Sequence, residues 1–74
     1  MRMSARNRLP GIVQRIKLGG IMAQVDVAVG DHAVTCVVTR DAAEELELKE
    51  GDRVFAIIKA TEVMVEKPET EGGE

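Results

Sequence analysis

From Ile21 onward the chain alternates, with Ile21, Ala23, Val25, Val27 and Val29 on one side of an extended backbone and Met22, Gln24, Asp26 and Ala28 on the other. A period of two marks a half-buried strand. Before it, Leu9 to Lys17 sets Ile12, Val13 and Ile16 among polar residues, and "KLGG" supplies a turn with two glycines. A strand and a hairpin are predicted there. Gly30 and Asp31 mark the next turn, and "HAVTCVVT" reads as a third strand rich in β-branched residues. The character then changes, because "RDAAEELELKEG" is built from helix formers and ends at a glycine. One short helix is predicted from Arg40 to Leu48, capped by Thr39 or Asp41, with Ala43, Leu46 and Leu48 turned inward and Lys49 to Asp52 as the exit turn. "RVFAIIKAT" reads as a fourth strand with Phe55 in the core, and "EVMVE" as a fifth after a break near Ala60 and Thr61.

Five strands with one helix between the third and fourth predict an all-β fold, a five-stranded OB-type barrel. Closure would remove the exposed edges that a small sheet otherwise presents. The expected domain covers residues 3–67, and "PETEGGE", residues 68–74, reads as a disordered polar tail.

Seventy-four residues bury a small core, so such a chain needs a staple. The single cysteine, Cys36, has no partner for a disulfide and reads as a small buried hydrophobe, and one histidine with one cysteine cannot build a tetrahedral zinc site. No structural metal is expected. Oligomerisation remains as the staple. No stretch reaches the roughly 20 apolar residues of a membrane span, and no secretory signal precedes the first strand, so a cytoplasmic protein without membrane contact is expected.

The net charge of −3 hides an asymmetry, since all thirteen acids lie beyond residue 20 while five of the ten bases (Arg2, Arg6, Arg8, Arg15 and Lys17) lie before it. A positive N-terminal limb on an acidic body attracts an anion or the acidic face of a neighbouring subunit. His32 stands at a turn with no partner for general acid–base work, and the glycines match no phosphate-binding loop, so no enzyme is expected. One aromatic residue and an acidic body also argue against a single-stranded nucleic-acid surface. What remains is a set of hydrogen-bond donors at strand ends: Ser4, Arg6 and Asn7; Thr39 with Arg40 at a helix start; Lys59, Ala60 and Thr61. Donors without neighbouring acceptors suit a fully deprotonated oxyanion.

Three segments carry a resemblance: "MSARNRLPGIV", "VTRDAAEELELKEGDRV" and "AIIKATEVMV". In that order and spacing they resemble the molybdate-binding Mop or TOBE family, in particular its small stand-alone members, the molbindins. The resemblance implies that Ser4 and Arg6 of "SARN" hold the oxyanion, with Asn7 beside them, and it maps the threonine before the helix to Thr39 and the lysine and small residue after the fourth strand to Lys59 and Ala60. Relatives often carry serine where Ala60 stands and again where Ala42 stands, so those two positions offer backbone donors alone. The resemblance further implies a homohexamer, a trimer of dimers, with molybdate or tungstate bound at subunit interfaces and no other cofactor. The expected role is cytosolic molybdenum storage or homeostasis. Two rivals are a molybdate-sensing interaction domain acting on a transporter or regulator, and an OB-type nucleic-acid binder.

Overall fold

The computed structural model describes residues 7–69. The element order is β1 (Asn7–Leu18), β2 (Met22–Val29), β3 (His32–Thr39), α1 (Arg40–Glu45) and β4 (Arg53–Ile58), with a single 3₁₀ turn at Ala60–Glu62. The four strands form one antiparallel sheet in the order β3-β2-β1-β4. β1 is the long member because it serves two neighbours in turn: Asn7 to Ile12 pairs with β4, and Ile12 to Leu18 pairs with β2. Pro10 falls in the stretch with one neighbour only, where a missing N–H is tolerated.

The handover at Ile12 needs a sharp local bend, and two features supply it. A bulge interrupts the register between Val13 and Arg15, which raises the local twist. At Gly11 a Cβ would stand 2.5 Å from the Ala28 carbonyl oxygen and 2.6 Å from Val27 Cγ1, so only glycine lets β2 approach that closely. Val13 follows at once as the most buried large side chain, 1% exposed. Its backbone is held from the far side, with Val13 N donating to Asp52 O at 2.9 Å and Gly51 N donating to Val13 O at 2.8 Å.

The alternation predicted for β2 is realised in Ala23, Val25 and Val27, which are buried, while Gln24 and Asp26 lie on the other face. Val13, Val25 and Val27 form the core, packed by Ile16, Val29, Cys36, Val38, Leu48 and Val54. Ala43 and Ala56 are the remaining buried apolar residues. Ile21, expected to continue the buried row, stands in the turn before β2 and is exposed, since the strand pairing begins at Met22 and Ala23.

The helix ends three residues short of the expected Leu48. Glu47 takes a left-handed conformation, φ 53°, and the chain closes with Glu47 N donating to Glu44 O at 3.0 Å and Leu48 N to Ala43 O at 3.2 Å. This is a Schellman closure, and it lets Leu48 fold back over Ala43 into the core. Leu46, expected inside, is turned out and is 68% exposed.

The largest departure from expectation lies at the C-terminal side. β4 stops at Ile58 rather than Thr61, and Glu62–Glu66 is not a strand. A strand requires a ladder partner, and no described strand lies beside this segment, so the sheet stays open with β3 and β4 as its two edges. Four antiparallel strands and one short helix stand in place of the expected closed five-stranded barrel. Of the expected tail, residues 70–74 lie outside the described residues.

Candidate oxyanion-binding site

Asn7 opens β1 opposite Ile58, the last residue of β4. Its Nδ2 donates to the Ile58 carbonyl at 3.1 Å, so this asparagine ties the strand entrance to the end of its neighbour. Lys59 continues from that point in an extended conformation and precedes the 3₁₀ turn, whose closing bonds run from Glu62 N to Lys59 O at 2.9 Å and from Val63 N to Ala60 O at 3.4 Å. Asn7, Lys59, Ala60 and Thr61 therefore gather at one end of the β1–β4 ladder, with the last three exposed. Ser4 and Arg6 lie outside the described residues.

Thr39 is elsewhere. It closes β3 opposite Met22, next to the turn that follows Leu18 at the far end of β1. β1 is 12 residues long, about 40 Å of contour at the usual rise per residue. Within one chain the Asn7 and Thr39 groups thus mark opposite ends of the longest strand.

The local chemistry of the Thr39 end is specific. Thr39 Oγ1 accepts the Ala42 N–H at 3.0 Å and caps α1, in preference to Asp41. Arg40, read from sequence as a donor beside it, is already committed: Nε donates to Glu44 at 3.0 Å, Nη1 donates to Gly19 O at 3.0 Å, and its backbone N donates to Ile21 O at 2.7 Å. It pins the helix start to the β1–β2 turn. The signal for this was the Arg40–Glu44 spacing of one helical turn.

The outer surface adds one correction to the expected core. Phe55 is 52% exposed and lies outward on β4, where the Arg8 guanidinium covers its ring at 4.1 Å from the centroid. On β2, Asp26 accepts from Thr35 at 3.0 Å, Gln24 at 3.3 Å and Arg15 at 3.2 Å. The bond from Thr35 above all, then those from Gln24 and Arg15, holds this carboxyl below the usual carboxylate range against an opposing effect of desolvation. Burial, with the nearby Asp26 charge, pushes the Cys36 thiol up, which suits a packing role rather than a nucleophile. Among the described residues no group of three or more His, Cys, Asp or Glu could hold a metal ion, and no helix is long and apolar enough to cross a membrane.

Comparison with known proteins places this architecture. Residues 3–65 match the family model of the TOBE domain. Molybdenum-pterin-binding protein 1 of Clostridium pasteurianum is 42% identical over 66 residues, covering 88% of this chain and 97% of that protein. The solved molybdate binding protein from Sporomusa ovata superposes with a TM-score of 0.87 at 36% identity, over 90% of this chain and all of that one. The cytoplasmic molybdate-binding protein ModG, solved with molybdate bound, gives a TM-score of 0.76 at 43% identity over 81% of this chain and 43% of its own length. The four-stranded sheet with its capped helix, the donor-bearing strand ends and these matches make the chain a member of the TOBE domain family, similar throughout to the small molybdate-binding proteins.

Proposed function

We propose that this chain binds molybdate, and tungstate with it, as a cytoplasmic store or buffer of the oxyanion that catalyses no reaction. The observation that carries the reading is the split of the donor set: Asn7, Lys59, Ala60 and Thr61 stand at one end of β1 and Thr39 at the other, each exposed or half-buried. Neither group encloses a tetrahedral dianion by itself. A second copy that brings its Thr39 end to the Asn7 end of the first would do so, and this supports anions held at subunit interfaces in a homohexamer, a trimer of dimers.

In this reading Arg6 supplies the charge-assisted pair of hydrogen bonds, Lys59 a point charge, and Ser4, Thr39 and Thr61 hydroxyl donors, with Asn7 and the Ala60 N–H completing the ring. Thr39 is suited to it because its oxygen already accepts the helix N–H, which leaves its own proton for the anion. A charge-assisted bond contributes roughly 1.5–3 kcal/mol and a neutral one about 1, enough for micromolar or tighter binding after association costs. The domain responsible would span residues 3–67.

Native mass spectrometry with and without molybdate tests the reading, because it reports assembly and anion number together. Hexamers that gain whole molybdate ions are expected. A protein that stays monomeric, or a hexamer that retains no molybdate at tens of micromolar, would overturn it.

A further inference from the structure

The Thr39 end of the chain carries acceptors that an anion has to be kept from. Thr39 stands opposite Met22, beside the turn that joins β1 to β2. Three carbonyls of that corner, those of Gly19, Ile21 and Met22, each have a donor. Gly19 N donates to Met22 O at 2.8 Å, the Arg40 backbone N donates to Ile21 O at 2.7 Å, and Arg40 Nη1 donates to Gly19 O at 3.0 Å. One residue therefore occupies two of the three.

The helical segment adds charge of the wrong sign for an oxyanion. From Arg40 to Leu48 the chain holds Asp41, Glu44, Glu45 and Glu47, and Arg40 is the sole base among them. Its guanidinium reaches two acceptors from one planar fork, Nη1 to Gly19 O and Nε to Glu44 Oε2 at 3.0 Å. Among the described residues the ion pairs are Arg15–Asp26 and Arg40–Glu44, so Glu44 is the one paired carboxylate of the four.

The two side chains of the Arg40–Glu44 pair are 41% and 58% exposed, and an exposed pair contributes little to folding stability. What it changes is the field next to Thr39. A carboxylate left alone there repels a dianion, and a carbonyl oxygen without its donor adds partial negative charge.

We propose that Arg40 is a positioning residue for the oxyanion site: it holds the Glu44 carboxylate and the Gly19 carbonyl to itself, so that Thr39 can face a dianion without repulsion from either. The inference rests on the molybdate reading above and adds to it a residue that acts through its neighbours.

Calorimetric titration of the full chain with molybdate tests this in Arg40→Met, Glu44→Gln and the double variant. Arg40→Met is expected to weaken binding about tenfold, and Glu44→Gln to stay within about twofold of the native chain. The double variant should return to within about threefold of it, because the carboxylate that Arg40→Met leaves alone is gone. Arg53→Met removes the same charge from β4 and should shift affinity less than about twofold. A purely structural role, in which Arg40 only pins the helix start to the turn, gives a different pattern: the double variant still lacks the bond to Gly19 O and would stay as weak as Arg40→Met. That pattern would overturn the proposal and leave the molybdate reading standing. So would an Arg40→Met chain that binds like the native one, equal losses in Arg40→Met and Arg53→Met, or a loss of affinity that comes with loss of assembly in native mass spectrometry. A native chain that binds no molybdate overturns both. Should circular dichroism show Arg40→Met unfolded, Arg40→Gln with and without Glu44→Gln repeats the comparison with a side chain that keeps a hydrogen-bond donor.

Discussion

Thr39 Oγ1 and the backbone N–H of Ala42 are 3.0 Å apart, and the direction of that bond divides two roles within one hydroxyl. The oxygen lone pair caps α1, and the hydroxyl proton is what the anion would receive. Thr39→Asp separates them. Aspartate caps as well as threonine, so thermal stability should stay within about 0.5 kcal/mol of the native chain. Its carboxylate has no proton to give and repels a dianion, so molybdate affinity should fall at least about tenfold. Thr39→Ala should lose both, with stability down by about 1 kcal/mol. Thermal melts and calorimetric titration of the two variants check this, and equal affinities for Thr39→Asp and the native chain would remove Thr39 from the site.

In the proposed site, selectivity would follow from the absence of a carboxylate. Hydrogen phosphate carries a proton that needs an acceptor, and none of Ser4, Arg6, Asn7, Thr39, Lys59, Ala60 or Thr61 bears a carboxylate. Calorimetry at pH 7 should give molybdate and tungstate affinities at least about a hundredfold above that of phosphate. Comparable phosphate binding would contradict a site without carboxylates.

In the proposed site Arg6 would give the anion a charge-assisted pair of bonds, so Arg6→Ala should weaken molybdate binding by about 2 kcal/mol, roughly thirtyfold. Arg8→Ala is the comparison, since it removes the same charge from the limb two residues along, and should change affinity by less than about 0.5 kcal/mol. Equal losses in the two variants would mean that the basic limb acts through its general field alone.

Glu47 holds a left-handed backbone at φ 53° where helices commonly place glycine. Glu47→Gly relieves about 1–2 kcal/mol of local strain and adds about 0.5–1 kcal/mol of chain entropy to the unfolded state. Stability should rise by about 0.5–1 kcal/mol in urea melts, with the anion affinity unchanged.

The Asp26 carboxyl is held below its ordinary value by Thr35, Gln24 and Arg15. A folded-state value below the unfolded one means that its stabilisation is complete above the unfolded value, about pH 4, and is lost as pH falls further through the folded value. Acid unfolding below about pH 4 should therefore flatten in Asp26→Asn, and Thr35→Val should move the acid transition upward. Stability measured by urea melts from pH 2 to 7 reads both effects, and an acid limb unchanged in Asp26→Asn would exclude this carboxyl as a contributor.

Local pattern alone carried the β2 alternation of Ala23, Val25 and Val27, the hairpin turns and the helix after Thr39, because each depends on neighbours within a few residues, while the choice of Thr39 over Asp41 as its cap came from the structure. The family of the chain was likewise legible, since its marks are contiguous segments. Four further things were decided only by the folded chain. Phe55 lies outside because pairing with Pro10 and Ala56 burial set the parity of β4, and a single apolar run does not reveal its parity. Leu46 turns out, while Leu48 faces inward as expected, because the Schellman closure at Glu47 rotates the chain after α1, a backbone event that helix propensity does not report. Glu62–Glu66 has the composition of a strand, but a strand exists only against a partner, and no described strand lies beside it. The same long strand sets Asn7 and Thr39 at opposite ends, so the donors that sequence spacing grouped as one set are parted by the distance along β1.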